Sequence, residues 1–203
     1  MNAGAACPLC GQALYPWAGQ SDGERGGRIL DRCEGCGLAV ERGSQVDFER
    51  ELKAIAVANP DGTRWVEHLP NRASLQAGIG GEAWAAIDAG DGALIHTPRS
   101  LALLAERTGY EIESLGFAIL ARNQAWMWQT LLNGLTLHPN FAREAIAGRL
   151  RPSSGRGRLA FAVDLVASVL AAPLVALVSV PLELIAVGLR RGGLMRARLA
   201  PAA

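Results

Sequence analysis

Four cysteines are the residues of this 203-residue chain whose types and spacing point most directly to chemistry. Cys7-Pro8-Leu9-Cys10-Gly11 and Cys33-Glu34-Gly35-Cys36-Gly37 are two C-x-x-C-G knuckles separated by the 22 residues from Gly11 to Arg32. Each knuckle presents two thiolates from one tight turn, and the glycine that follows can take the positive φ that turns backbone N–H groups toward sulfur. Two knuckles supply four soft ligands, the donor set of tetrahedral Zn(II). With Cys7, Cys10, Cys33 and Cys36 all bound, no position is left for water, so the zinc expected here is structural and not catalytic. A rubredoxin-like iron cage uses the same ligands, and spacing leaves both metals open. A thioredoxin-type redox pair fits poorly, because it needs one C-x-x-C opening a helix after a strand.

Residues 13–17 and 27–30 read as short ribbon strands joined by a turn-rich stretch, 19–26. So few apolar residues lie here that the ribbon is expected to fold only around its metal. Residues 1–6 carry neither a basic n-region nor an apolar h-region. No secretory signal is therefore expected ahead of the knuckles, and the thiols are placed in a reducing, cytoplasmic compartment.

Further along, Ser44 to Asp47 has capping-box spacing, and Phe48, Leu52 and Ile55 recur at helical intervals, so a helix is expected over 46–57. Asn59-Pro60-Asp61-Gly62 stops it, and a strand follows over 63–69. Thr97 as N-cap, Pro98 in the first turn and Gly109 past the end define a helix over 98–108. A strand is expected from Tyr110 to about Leu120, and then a helix capped by Asn123 that carries Trp126, Trp128, Leu131 and Leu132.

Leu69-Pro70-Asn71-Arg72-Ala73-Ser74, then Gly81-Glu82-Ala83-Trp84, then His96-Thr97-Pro98-Arg99-Ser100-Leu101 running into Ala105-Glu106-Arg107-Thr108-Gly109-Tyr110-Glu111-Ile112 resemble the back half of a class I S-adenosylmethionine-dependent methyltransferase. The relevant branch carries a four-cysteine zinc ribbon ahead of its catalytic domain and is often associated with sugar or cell-envelope chemistry. The resemblance implies a strand ending in Pro-Asn, a Trp-containing loop, a helix opened by Thr-Pro that leads into a strand, and a final strand at Gly192 to Arg198 after a variable insertion. It covers about two-thirds of the chain.

The front half of such an enzyme has no counterpart. Its cofactor lies on a strand, a Gly-x-Gly-x-Gly turn and a helix, with an acidic residue ending the next strand. Here Gly78-Ile79-Gly80-Gly81 and Gly90-Asp91-Gly92 read as turns, and Gly155-Arg156-Gly157 reads as part of a basic linker. The 107 residues from 44 to 150 do not hold a seven-stranded doubly wound sheet when each βαβ unit uses ~30 residues. Where the family tends to show Pro-x-His, this chain has Gly90-Asp91-Gly92. Binding of S-adenosylmethionine by the isolated chain is therefore not expected, and no residue is assigned to catalysis or to that cofactor. His68, His96 and His138 have no neighbouring cysteine or paired carboxylate in sequence, and Glu67 and His68 would point to opposite faces of a strand.

Residues 159–189 are almost wholly apolar, interrupted by Asp164 and Glu183. The uncharged run 165–182 is 18 residues long, ~27 Å as a helix against a hydrocarbon core of ~30 Å. Pro173 and Pro181 favour two shorter helices, 159–172 and 174–189, dipping as a hairpin into one leaflet with arginines at the headgroups and Trp126 and Trp128 nearby. A single span, and packing on the sheet or in a dimer, are the competing arrangements. Charge is divided in the same sense: residues 1–140 hold 11 basic and 16 acidic side chains, and residues 141–203 hold 9 basic and 3 acidic. A basic, apolar tail suits an anionic membrane surface. A net charge of +1 on a chain that is 50% hydrophobic argues against a globally basic nucleic-acid binder, and no nucleic-acid partner is expected.

The expected fold class is α+β, with a zinc ribbon at 1–43, a partial methyltransferase-like α/β region at 44–150, and a basic-flanked apolar helical segment with a final strand at 151–203. The function that follows is non-catalytic: a zinc-binding, methyltransferase-derived, degenerate module. It would act through a protein partner that supplies the missing strands at an exposed sheet edge, or at the inner membrane face through residues 159–189. An active methyltransferase of reduced architecture using Gly78 to Gly81, and a membrane-anchored zinc-ribbon protein unrelated to methyl transfer, are the alternatives.

Overall fold

The computed structural model describes residues 5–19, 29–89, 93–119, 121–150 and 154–202. The expected ribbon turn, from residue 20 onward, and Gly90-Asp91-Gly92 lie outside these residues. The fold is α+β, with two antiparallel sheets. In the first, β1 (Leu14–Gly19), β2 (Ile29–Cys33) and β3 (Ala39–Glu41) form the ribbon, and a short strand from much later in the chain, β6 (Leu94–Ile95), pairs with β3. In the second, β4 (Ala56–Ala58), β5 (Arg64–Pro70), β7 (Tyr110–Phe117) and β8 (Leu194–Pro201) lie in the order β4-β5-β8-β7. Since β8 is antiparallel to both neighbours, β5 and β7 run parallel with β8 between them.

Local chemistry explains most helix boundaries. Helix α1 (Phe48–Ile55) starts later than its spacing suggests: Asp47 is the cap, accepting a hydrogen bond from the Arg50 backbone N at 3.2 Å. The Ser44 hydroxyl instead donates to the Glu41 carbonyl at 2.7 Å. A short helix, α2 (Leu75–Gly80), follows β5 and runs into two 3₁₀ turns, Gly81–Ala83 and Ala85–Ala89. Helix α3 (Pro98–Arg107) has the expected Thr97 cap, completed by Ser100 as a capping box, and Gly109 follows it at φ 77°. Helix α4 (Ala121–Asn133) begins before Asn123, which therefore lies in the first turn with its side chain free to bond elsewhere. Helix α5 (Phe141–Ile146) is short.

The largest departure is α6 (Gly155–Gly188), one continuous 34-residue helix where two helices are expected. Gly155-Arg156-Gly157 is its first turn and not a linker. Both Pro173 and Pro181 are inside it, each removing a backbone bond at ~3 kcal/mol. The two proline side chains are on the exposed side. The helix is held by docking along one face, on which Asp164, Ser168, Val175, Ser179, Glu183 and Ala186 are buried.

Two cores result. One joins the ribbon (Leu9, Leu14, Leu38, Val40) to Leu52 of α1, to Leu101 and Leu104 of α3, and to the inward residues Val66, Met195, Ala197 and Leu199 of the second sheet. The other gathers Trp84, Ile87, Ile95, Trp126 and Leu194. Trp126 is thus a core residue, not a headgroup anchor. The seam between β5 and β8 is closed by Asn71, whose side-chain amide donates to the Gly192 carbonyl and whose backbone N donates to the Gly193 carbonyl, both at 2.9 Å. A Cβ at Gly193 would fall less than 3 Å from the side chains of Asn123 and Gln76. Gly193→Ala is expected to destabilise the chain by about 1–3 kcal/mol through overpacking, read as a lower urea midpoint at unchanged slope.

Candidate functional site

The knuckles meet because β1 and β2 pair Leu14 with Cys33, and because the turns before β1 and after β2 face each other across that pair. The four cysteine Sγ atoms lie within 4.8 Å of one another. Cys7 is 3.6 Å from Cys36 and Cys10 is 3.3 Å from Cys33. A tetrahedral metal with bonds of ~2.3 Å to sulfur has edges of about 3.8 Å, so the cluster is close to the size of such a cage. All four are free thiols. Gly11 and Gly37 take the positive φ expected of knuckle glycines, 76° and 75°, and the Cys36 backbone N points at Cys33 Sγ at 3.5 Å. Without metal, burial pushes the Cys7 and Cys36 thiols up. Burial also acts on Cys10, but the Gln12 backbone and the sulfurs of Cys33, Cys36 and Cys7 outweigh it and bring this thiol down to about 7. A metal entering the cage must displace protons from the raised thiols, so its binding strengthens as pH rises.

The cage is tied to the body by the motif residues that carry the family resemblance. The Thr97 hydroxyl, besides capping α3, donates to the Cys36 carbonyl at 2.6 Å. Arg72, which follows Pro70-Asn71, donates to the Gly37 carbonyl at 3.3 Å and lies 4.6 Å over the Trp17 ring. Trp17 in turn meets Trp84 at 6.4 Å. Sequence reasoning could not place these ties, because each joins residues tens of positions apart.

The histidines have partners that the sequence does not reveal. His96 is fully buried, with Nε2 3.3 Å from Glu51 Oε1 and Nδ1 3.4 Å from Ser100 Oγ. Acid, imidazole and hydroxyl occur in the order of a nucleophilic triad, but Ser100 is sealed from solvent and engaged in the capping box. The relay ties α1 to α3. His138 Nδ1 is 2.6 Å from Asp164 Oδ2. His68 sits at a bulge in β5 with φ 55°, and both it and Glu67 are exposed. Gly78 to Gly81 belongs to α2 and the turn after it, and a Cβ at Gly80 would collide with Thr130 of α4. That glycine permits helix packing.

Helix α6 inverts the usual polarity. By length and composition it is long and apolar enough to cross a membrane, yet only 17% of its apolar window is buried. Past its first turn, its polar residues face the protein. Asp164 accepts from the backbone N of Leu137 at 2.6 Å and of His138 at 3.2 Å. Glu183 accepts from Gln76 Nε2 at 2.7 Å, from Asn123 Nδ2 and from the Gly193 N. Gln124 donates to Ser179 Oγ at 2.6 Å. Among the described residues, thirteen of the twenty-two exposed large apolar side chains lie between Leu159 and Leu189.

Comparison with known proteins finds no match among protein-family models, curated proteins or solved structures. Cys33→Ser is expected to reduce bound metal from a full equivalent to a small fraction, measured by elemental analysis, and to lower the melting temperature. Full metal retention would show that the four sulfurs do not act as one cage.

Proposed function

We propose that this chain is a non-catalytic, membrane-peripheral module, a structural zinc ribbon built onto a scaffold derived from the back half of a class I methyltransferase. The observation that carries the membrane reading is the polarity of α6, with carboxylates and hydroxyls turned inward and leucines and valines turned outward. An ordinary soluble monomer has a largest apolar patch of ~300–600 Å². Twelve large apolar side chains along α6, and Leu189 at its C-cap, are exposed, an outward face that suits lipid.

Four thiolates in a closed donor set fit structural zinc, and iron fits the same ligands. When bound, zinc would be held by Cys7, Cys10, Cys33 and Cys36 and would supply cross-linking, not reactivity. The methyltransferase lineage is supported by β5 ending at Pro70 before Asn71, by Thr97-Pro98 opening α3 ahead of β7, and by a final strand, β8, after the inserted α6. The non-catalytic reading is supported by Gly80, whose close approach is to Thr130 and not to an open nucleotide loop.

Two measurements test this. The zinc-loaded chain should float with phospholipid vesicles in a density gradient, and Val169→Asp with Leu177→Asp, both on the exposed face, should reduce flotation at least tenfold without changing metal content. Titration calorimetry with S-adenosylmethionine should give no heat of micromolar binding. Binding at that level would overturn the non-catalytic reading.

A further inference from the structure

From the way α6 is tied down, we propose that it seats in the plane of an anionic lipid bilayer, docked on the body from Phe161 to Ala186, with the arginines at its two ends holding lipid phosphates. The inference rests on the membrane reading above and names the lipid class and the mode of contact. It has three supports. First, both ends of α6 return to one body. The chain entering it comes from β7 by way of α4 and α5, and the chain leaving it becomes β8, the strand between β5 and β7. A transmembrane span would pull β8 from the middle of its sheet and break two hydrogen-bond ladders.

Second, the helix is clamped at two points. Asp164 holds the Leu137-His138 turn, and Phe161 packs edge-on against Phe141 at 5.1 Å. Nineteen residues on, Glu183 holds Gln76, Asn123 and Gly193. The two clamps are about 28 Å apart along the axis. Beneath them, α4 is itself fixed to the body, Asn133 Nδ2 donating to the Ala83 carbonyl at 2.7 Å and Thr130 Oγ1 accepting from the Ala85 N at 3.1 Å. The outer face of α6 is therefore a flank of the molecule and not a free rod.

Third, charge selects the partner. Arg156 and Arg158 are exposed in the first turn, which holds no acid, and Arg190 is exposed just past the end. Cations at a helix N-terminus oppose the macrodipole, so Arg156 and Arg158 do not serve the helix. None of these three is in an ion pair among the described residues. A second copy of the chain would bring arginine against arginine whether the two helices ran parallel or antiparallel. An anionic bilayer complements both ends at once.

The experiment compares flotation of the zinc-loaded full chain with vesicles of phosphatidylcholine alone and of phosphatidylcholine with one-third phosphatidylglycerol. An arginine near an anionic surface contributes about fivefold, equivalent to ~1 kcal/mol. The expected result is at least tenfold tighter binding to the anionic vesicles, lost in 0.5 M salt and in the triple variant Arg156→Gln, Arg158→Gln, Arg190→Gln. Epitope tags at both chain ends should remain open to protease added outside sealed vesicles. Equal binding to both vesicle types, or a protected tag at one end, overturns the in-plane, anion-selective seat while leaving membrane association standing. No flotation with either vesicle removes the membrane reading as well. A lipid-free dimer that no longer binds vesicles assigns the face to a second copy and overturns the proposal.

Discussion

A carboxylate removed from water must be met by donors, and Asp164 and Glu183 impose this demand at both ends of α6. Both are fully buried. Leaving either unpaired would cost several kcal/mol, so the helix can rotate only to the face where Leu137, His138, Gln76, Asn123 and Gly193 offer N–H groups. That rotation dictates the rest. Ser168 and Ser179 come inward with the acids, and most of the Val and Leu residues go outward. Each would gain ~1.5–3 kcal/mol by burial in an aqueous protein. Their exposure is consistent with an environment in which apolar side chains lose nothing by facing out.

The same economy of contacts governs the cysteine ribbon, which is not a pendant domain. Its sheet is extended by β6, its core is continuous with α1 and α3, and the Cys36 carbonyl is held by the residue that caps α3. The cap and the cage therefore share one hydroxyl. Arg72, partly buried between Trp17 and the second knuckle, brings a positive charge beside a cluster that becomes dianionic when four thiolates hold a divalent ion.

Much of this was legible in the residues because the signals were local. The knuckles, the Thr97-Pro98 start, the Gly109 stop and the strands at 64–70 and 110–117 depend on neighbours a few positions away, whereas the final strand is expected only from the family resemblance, at 192–198. What escaped depended on distant partners. Asn123 looks like a cap and is instead a donor to Glu183, 60 residues away. His96 and His138 look isolated, and their carboxylates come from α1 and α6. Pro173 and Pro181 look like breaks, because the docking that holds the helix through them leaves no mark in the local sequence. The buried acids were visible as interruptions of an apolar run, but the direction they face was not.

The position of β8 has a kinetic consequence. Asn71 and Gly192, which close the seam between β5 and β8, are 121 residues apart, so the sheet cannot be completed until the whole apolar helix has been made. Until then β5 and β7 are two incomplete ribbons with a gap between them. Nascent chains of this kind depend on late, long-range pairing, which is slow and vulnerable to aggregation.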